Sequence, residues 1–389
     1  MGNKGSSSGG GEIGDGGGGG GGGSSSSGSK DKKRDYKATQ KPEKVYKEVK
    51  CSRPYVVRTP NSDGAALDAN NIGTLPLGCK LHGVLKLREA NLTGKDIVIG
   101  IIDTGIDAKH PGFHDKVVKK EWYKSGDLSS STGDDHGTHV AGTIHFMAPD
   151  ATLYDYRVFG SGGMSNDEAI ARAVRQAVDD GCHIINISLR ISFPIVKEVK
   201  KSIKYAYKES IPVICSYGNT GVEGSDPMIN EMYSYPARWE YVIGVAATNK
   251  NSYGLPVAPF TESKPEDVDF TGCATNVLSL KPGGGTQYMS GTSMAGPHVC
   301  GLIAALYQKK YYNKMDEKTL RKELVKHFVV DITGAGMNAK NADADAQAFD
   351  LDAENDEEGG NSTGNGFLTF LDKREFRLLW KEIEGVSSS

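Results

Sequence analysis

Four polar residues that are far apart in the chain have the side chains that acyl transfer needs. Asp103 ends the apolar run KDIVIGIID, His136 lies in DDHGTHVAGTI, and Ser293 lies in MSGTSMAGPHVCG. A hydroxyl nucleophile requires an imidazole that takes its proton and a carboxylate that holds the tautomer of the imidazole. Asn219 follows the run PVICSYG and supplies an amide that can donate to a developing oxyanion. These residues predict catalysis through a covalent acyl-enzyme.

Each of the four residues also has a purely structural explanation. A serine or threonine before an apolar run is typical of a helix N-cap, with a proline in the first helical turn. This applies to Ser290, Thr292 and Ser293, which precede Pro297. The acid and the amide suit turns, and the histidine suits a packed core. The catalytic interpretation is favoured because the residues occur together, in the chain order Asp, His, Ser.

Alternating strands and helices must position these residues. Continuous apolar runs predict buried strands at 95–103, 151–159, 182–189, 212–218 and 241–248. Residues 166–181 and 195–207 place their apolar side chains on one helical face. The alternation predicts an α/β fold, a three-layer, doubly wound parallel sheet with helices on both faces. Active sites of such sheets lie at the C-terminal ends of the strands, where the four polar residues occur.

The motifs resemble the signature blocks of the subtilisin-like serine proteases, the subtilase family. The three blocks are IIDTGID, HGTHVAGT and GTSMAGPHV, and they are supported by INISL, YGN, YPARWEYVIGVAA and GNGFLTF. The resemblance implies a subtilisin-like fold and an endopeptidase that hydrolyses peptide bonds in polypeptide substrates. It assigns Ser293 as the nucleophile, His136 as the base and then acid, and Asp103 as the orienting carboxylate. It places the Asn219 amide and the Ser293 N–H in the oxyanion hole.

The resemblance also implies that an extended substrate lies between two strands of the enzyme. The residues assigned to substrate binding are Ser188, Leu189, Arg190, Gly160, Ser161, Gly162 and Tyr217. Many relatives have Gly at the position of Arg190 and Ala at that of Tyr217, and both positions are expected at the wall of the P1 pocket. Arg190 is either a solvated cation or a residue that favours an acidic P1 side chain. Asp134 and Asp135 could attract basic residues near P2.

Two other functions are compatible with the same residues. A peptide acyl transferase or macrocyclase would use an amine in place of water, and it needs a feature that excludes water, which the sequence does not show. A pseudoprotease would use the cleft only to bind peptides, and the intact catalytic set argues against it. The endopeptidase interpretation is therefore preferred.

The sequence predicts no cofactor and no calcium site. Many secreted relatives have a longer calcium-binding excursion where this chain has only IHFM, at 144–147. A carboxylate usually follows the His-Pro pair in those relatives, and here Gly112 follows it. Residues 361–372 can be aligned with an EF-hand loop, but they lack Asp at the first position and have Asp372 at the twelfth. The closing motif of the family explains these residues better.

Composition divides the chain into three parts. Residues 1–29 predict a disordered Gly/Ser-rich tail, residues 30–73 a basic linker or short pro-segment, and residues 74–384 the catalytic domain, with an acidic loop insertion at 343–360. The start MGNKGS fits the N-myristoylation pattern at Gly2, although a plain solubilising tail matches it as well. One myristoyl chain binds membranes only marginally, so basic residues within 30–58 would supply the second signal.

Composition also favours a cytoplasmic protein. The 389 residues have a formal net charge of -3, which offers no advantage for binding nucleic acid. No apolar run approaches the roughly 20 residues of a membrane span, and the N-terminus lacks the apolar core of a secretory signal. The six cysteines are scattered, and Cys182, Cys215 and Cys300 are expected to be buried thiols in a reducing compartment. We expect a monomer that associates reversibly with membranes if Gly2 is acylated.

Overall fold

A computed structural model describes the residues that form the central domain. They are 67–120, 134–159, 165, 167–189, 197–219, 235–248, 268–309, 312, 315–330, 367–372, 374–376 and 379. The predicted tail 1–29, residues 30–66 of the predicted linker and the predicted insertion 343–360 lie outside them. Leu67 and Ala69 are buried, so residues ahead of position 74 also pack in the domain.

Within the described ranges, nine strands form one sheet in the order β10-β11-β7-β6-β5-β4-β1-β3-β2. Their bounds are Val98–Asp103 (β1), Val117–Lys120 (β2), Thr152–Arg157 (β3), Ile184–Ile187 (β4), Val213–Ser216 (β5), Ile243–Thr248 (β6), Phe270–Cys273 (β7), Val329–Val330 (β10) and Phe367–Leu368 (β11). All neighbouring pairs are parallel except β10 with β11. Two further strands, Val277–Leu280 (β8) and Thr286–Met289 (β9), form a separate antiparallel hairpin. The five predicted strands are confirmed.

Helices cover both faces of this sheet. They are Leu77–Leu81 (α1), Val84–Glu89 (α2), Asp134–Met147 (α3), Asp167–Asp179 (α4), Lys197–Lys208 (α5), Thr292–Tyr307 (α6) and Glu317–Phe328 (α7), with short 3-10 helices at Ile72–Thr74 and Pro111–Phe113. α4 and α5 pack against each other and bury their apolar stripes in one core cluster with the sheet. α3 and α6 pack together on the other face of the sheet. Both faces need such cover because alternate side chains of a strand point to opposite faces. The predicted three-layer α/β fold is confirmed.

The two amphipathic helices are stable because one side of each is buried. α5 buries Val199, Ser202, Ile203 and Ala206 and leaves lysines on its opposite side. Burying a side chain such as Ile203 contributes about 1.5–3 kcal/mol to the free energy of unfolding. The amphipathic pattern therefore also determines which side of α5 faces solvent.

The described cysteines are all buried free thiols. They are Cys79, Cys182, Cys215, Cys273 and Cys300. The prediction of buried thiols at 182, 215 and 300 is confirmed, and Cys51 lies outside the described residues. In the described part of the chain, no helix is both long and apolar enough to cross a membrane.

Candidate active site

The strand order brings three segments together at one edge of the sheet. β1 lies between β3 and β4, so the direction of winding reverses where the chain passes from β3 to β4. In doubly wound sheets, ligands bind in the crevice at the carboxyl ends of the strands at such a reversal. Asp103 is the last residue of β1, Ser188 directly follows β4, and Asn219 closely follows β5. The polar residues predicted from sequence therefore lie at the crevice.

Asp103 and His136 form a hydrogen-bonded pair. Nδ1 of His136 donates to Oδ1 of Asp103 over 2.7 Å, and the backbone N–H of Thr104 donates to the same oxygen over 2.7 Å. The Asp103 side chain is 1% exposed and that of His136 is 33% exposed. A carboxylate only accepts, so Nδ1 of His136 carries the proton. In the neutral ring, Nε2 is then the basic nitrogen.

The electrostatics of this pair favour the imidazolium form. Burial lowers the pKa of His136, but the charge of Asp103 and its hydrogen bond together outweigh burial and raise that pKa above 6.5. The ring is therefore a stronger base than an isolated histidine.

The first turn of α3 holds His136 against the loop that follows β1. The helix begins at Asp134, two residues before His136. The N–H of Gly137 donates to Oγ1 of Thr104 over 3.0 Å. A Cβ on Gly137 would lie 2.2 Å from the carbonyl oxygen of Gly105. A larger residue at 137 would move His136 away from the carboxylate.

Ser293 lies in the first turn of α6 and is half-buried. The N-cap residue is Gly291, and no side chain caps the helix. The capping explanation for Ser290, Thr292 and Ser293 is therefore wrong. Ser290 accepts instead from the N–H of Asn276 over 2.9 Å.

Pro297 lies inside α6, rather than in its first turn as the capping explanation required. Proline has no N–H, so the carbonyl of Ser293, four residues earlier, lacks its usual helical donor. Oγ of Ser188 donates to this carbonyl over 3.1 Å, and Nδ2 of Asn186 donates to Oγ of Ser188 over 3.0 Å. The Ser293 hydroxyl in turn donates to the Ser188 carbonyl over 3.1 Å. Two hydrogen bonds thus tie Ser293 to the end of β4.

Asn219 is held by a residue that the sequence did not single out as functional. Its Oδ1 accepts from the backbone N–H of Thr292 over 2.8 Å and from Oγ1 of Thr292 over 2.9 Å. Oγ1 of Thr292 also accepts from the N–H of Gly218 over 3.1 Å. Gly291 has φ 152°, and a Cβ there would lie 3.2 Å from Nδ2 of Asn219. With Oδ1 occupied, Nδ2 is the group that can donate to a ligand.

The other predicted site residues have different environments. Ser188 is buried, Leu189 is half-buried against the core, and Tyr217 is only 1% exposed within the same core cluster. Several predicted residues lie outside the described part of the chain, namely Gly2, Gly160, Ser161, Gly162 and Arg190.

Asp155 is a second polar residue that sequence reasoning missed. It lies on β3 directly beside Ile101 of β1. Its Oδ2 accepts from the N–H of Ile106 over 3.1 Å, which holds the loop after Asp103. A signal was available, because a lone carboxylate interrupts the apolar alternation of the strand.

The histidine one helical turn after His136 has a packing role. Nε2 of His139 donates to the carbonyls of Val277 and Gln287, over 2.9 and 3.2 Å, and burial lowers its pKa to about 4. The ring therefore links α3 to the β8–β9 hairpin in its neutral form.

No group of three or more His, Cys, Asp or Glu in the described part of the chain is arranged to hold a metal ion. The IHFM segment completes the last turn of α3, and the N–H of Gly112 donates to Nδ1 of His110 over 3.0 Å. Residues 361–366 lie outside the described part, and β11 begins at Phe367.

The sequence profile described as the subtilase family matches residues 94–361, which is more than half of the chain. This chain belongs to the subtilase family. Subtilisin DY of Bacillus licheniformis is 34% identical over 247 residues, covering 61% of the chain and 86% of the relative. The major intracellular serine protease of Bacillus subtilis strain 168 is 30% identical over 275 residues, covering 66% and 83%. Subtilisin Savinase of Lederbergia lenta is 32% identical over 227 residues, covering 56% and 78%.

Family membership confirms the resemblance seen in the motifs. As a subtilase, the protein is a serine-type endopeptidase. The match begins at Gly94, just before β1, and so includes all four polar residues of the crevice.

Proposed function

We propose that this subtilase hydrolyses peptide bonds with Ser293 as the nucleophile, His136 as the general base and Asp103 as the carboxylate that orients the base. The observation that carries the proposal is the 2.7 Å hydrogen bond between Nδ1 of His136 and Oδ1 of Asp103. It selects the tautomer with a basic Nε2, which a hydroxyl nucleophile requires. A position near the N-terminus of α6 further favours negative charge on Ser293.

In the first half of the reaction, Oγ of Ser293 attacks the carbonyl carbon of the scissile bond while its proton moves to Nε2 of His136. The imidazolium is stabilised by Asp103 and then protonates the leaving amine, which departs and leaves the acyl-enzyme. In this structure the Ser293 hydroxyl donates its proton to the Ser188 carbonyl. It must therefore turn towards His136 before attack.

In the second half, His136 takes a proton from water, and the hydroxide attacks the acyl carbon. The proton then returns to Oγ as the carboxylic acid product leaves. Nδ2 of Asn219 and the N–H of Ser293 donate to the oxyanion in both halves. One such donor contributes roughly 10²–10³ in kcat.

The polypeptide substrate would bind as an extended strand between residues 188–190 and 160–162. Ser188 supports this because it connects the end of β4 to the nucleophile. Arg190 and Tyr217 would lie at the P1 wall. Because Tyr217 is buried in the core, it would support this wall from behind. Asp135 is exposed beside the base, where its charge favours basic residues at P2.

Labelling with a fluorophosphonate probe tests the nucleophile. We expect the wild type to be labelled, and Ser293→Ala to lose both labelling and peptidase activity, retaining only about 10³–10⁴-fold acceleration over water. Ser290→Ala is the matched control. It removes a hydroxyl three residues away and should keep both fluorophosphonate labelling and peptidase activity. Labelling of Ser293→Ala at the wild-type rate would identify another nucleophile. Product masses from an amine-containing peptide mixture distinguish hydrolysis from acyl transfer.

A further inference from the structure

Lysine side chains form a stripe along the solvent side of α5. The stripe consists of Lys197, Lys200, Lys201, Lys204 and Lys208. Four of them follow one another at spacings of four, three and four residues, which places them on one face of a helix. The buried residues of α5 occupy the opposite face. At 1.5 Å per residue, the stripe extends over about 16 Å.

Among the described residues, acidic side chains do not balance the charge of this stripe. Glu198 is the only acid within α5, and it accepts from Nζ of Lys201 over 2.6 Å and from Nη2 of Arg175 over 2.8 Å. Two cations therefore share its single charge. Asp179 and Glu209 border the stripe, and Asp179 accepts from the hydroxyl of Tyr205 over 2.8 Å. Because the whole chain has a formal charge of -3, the stripe is a local concentration of positive charge.

Aromatic rings flank the stripe. Nζ of Lys200 lies 5.8 Å from the ring centroid of Trp239, and Nζ of Lys204 lies 4.7 Å from that of Tyr241. The Tyr241 ring also packs against Tyr207, with centroids 5.0 Å apart. Cation–π contacts hold the ammonium groups beside the rings, and lysine stems and aromatic rings are both amphipathic.

We propose that the lysine stripe binds the anionic lipid head groups of a membrane surface. Such a surface presents diffuse negative charge, which matches a row of flexible ammonium groups. Discrete phosphates are preferentially bound by arginine forks, and α5 contains no arginine. Basic helix surfaces with four to eight lysines are typical of binding to anionic lipids. The stripe is long enough to contact several head groups at once.

The position of the stripe is compatible with the endopeptidase activity. α5 joins the parallel strands β4 and β5, so it runs antiparallel to them along one face of the sheet. Lys197 is therefore directed towards the edge that contains Ser188 and Asn219, and Lys208 towards the opposite edge. A membrane on this face leaves the crevice at the edge accessible. The proposal does not depend on the role of Ser293.

Binding of the full-length chain to lipid vesicles tests this proposal. The stripe variant is Lys197→Gln, Lys201→Gln and Lys208→Gln. The control variant, Lys318→Gln, Lys322→Gln and Lys326→Gln, removes three exposed lysines from one face of α7. Each lysine near an anionic leaflet strengthens binding about fivefold, so the stripe variant should bind phosphatidylserine vesicles about 100-fold more weakly. The control should bind within about twofold of the wild type if α7 does not touch the membrane.

Three further measurements complete the test. A variant with arginine at the three stripe positions should keep vesicle binding, and phosphatidylcholine vesicles should bind none of the proteins. Circular dichroism and peptidase activity should be unchanged in every variant, since all the substituted side chains are exposed. Unchanged vesicle binding by the stripe variant, or an equal loss in the control, would overturn the proposal. RNA binding is measured on the same variants. If the stripe variant lost RNA binding and kept vesicle binding, the stripe would have a nucleic-acid partner and the proposal would be overturned.

Discussion

Thr292 donates two hydrogen bonds to Oδ1 of Asn219, one from its backbone N–H over 2.8 Å and one from its hydroxyl over 2.9 Å. The amide of Asn219 cannot flip without losing both, because an NH₂ group does not accept them. Nδ2 therefore has its direction before any substrate binds. A donor that needs no reorientation during the reaction is the most effective stabiliser of an oxyanion.

Thr292→Val is expected to lower kcat roughly 10-fold with little change in KM, because it removes one of these hydrogen bonds and keeps the side-chain shape. Asn219→Ala removes the donor itself and should cost roughly 10²–10³ in kcat. Thr292→Ser keeps the hydroxyl and should restore most of the rate. Steady-state kinetics on one peptide substrate measure all three. Effects confined to KM would remove both residues from the oxyanion hole.

The activity should depend on pH through His136. In the proposed mechanism the neutral ring is the base, and Asp103 raises the pKa of that ring above 6.5 despite burial. We therefore expect kcat/KM to fall as the pH drops through a value above 6.5. Asp103→Asn should move this fall in kcat/KM to lower pH and should lower kcat about 10⁴-fold. If kcat/KM of the wild type fell only at a pH of 6.5 or below, the assignment of this pair would be contradicted.

The raised pKa of His136 affects the stability of the fold in the opposite direction from its effect on activity. A histidine whose pKa is raised by folding contributes stability that is fully present below its unfolded pKa, and that contribution is lost as the pH rises through the folded pKa. His136 therefore stabilises the fold in mild acid, where its protonated ring cannot accept a further proton.

His145 should make the protein sensitive to acid. Its ring is 1% exposed, and neither ring nitrogen has a hydrogen-bond partner among the described residues. Burial, followed by the charges of His114, Arg88 and Lys116, lowers its pKa to about 3. Since the unfolded chain takes up the proton near 6.5, this stability is present above 6.5 and is lost as the pH falls towards 3. The loss is about 1.4 kcal/mol per pH unit.

His145→Phe removes this titration and keeps the contacts with Phe113 and Phe146, whose ring centroids lie 5.8 and 6.5 Å away. Denaturant unfolding at pH near 7.5 and near 5 should show a free energy that falls by about 2 kcal/mol less in the variant than in the wild type. If the free energies of unfolding of the two proteins fell equally with pH, folding would not lower the pKa of His145.

We expect calcium to leave the stability unchanged. Where many secreted relatives have a calcium-binding excursion, Arg88 donates to the carbonyls of Phe146 and Met147 over 2.7 and 3.4 Å. The Arg88 guanidinium thus already binds the carbonyl groups at the C-terminal end of α3. Thermal melts with calcium and with chelator should coincide. A rise of several degrees with calcium would indicate a site elsewhere, and residues 361–372 would be the first to mutate.

We propose that Gly2 is acylated in hosts with an N-myristoyltransferase. A single acyl chain binds marginally, so the basic residues within 30–58 are needed for membrane association. Wild type should divide between membrane and soluble fractions, and Gly2→Ala should shift to the soluble fraction. High salt should release the wild type as well, because the electrostatic part is screened. Equal fractions for both proteins would leave residues 1–29 as a solubilising tail.

The fold class, five of the strands and the four polar residues of the crevice could be predicted from local patterns in the chain, whereas β2 and β7–β11 were not predicted. Runs such as 95–103 are apolar because both faces of a parallel strand are buried, and that signal is local in the chain. Asp103, His136, Ser293 and Asn219 were found in the same way, each within a short motif at the end of an element. Helix ends were less well determined, because α4 ends at Asp179, two residues before the end of the predicted helical pattern 166–181.

The hydrogen bonds that hold these residues could not be predicted, because their partners lie far away in the chain. Thr292 and Asn219 are 73 residues apart in the chain, and Ser188 and Ser293 are 105 residues apart. Ser290 and Thr292 suited a helix cap on local grounds, yet their hydroxyls bond to residues brought near by the sheet and the β8–β9 hairpin. Lys204 meets Tyr241 for the same reason. Hydrogen-bond partners depend on side-chain directions in space, and these are set when distant elements pack, so spacing along the chain does not contain them.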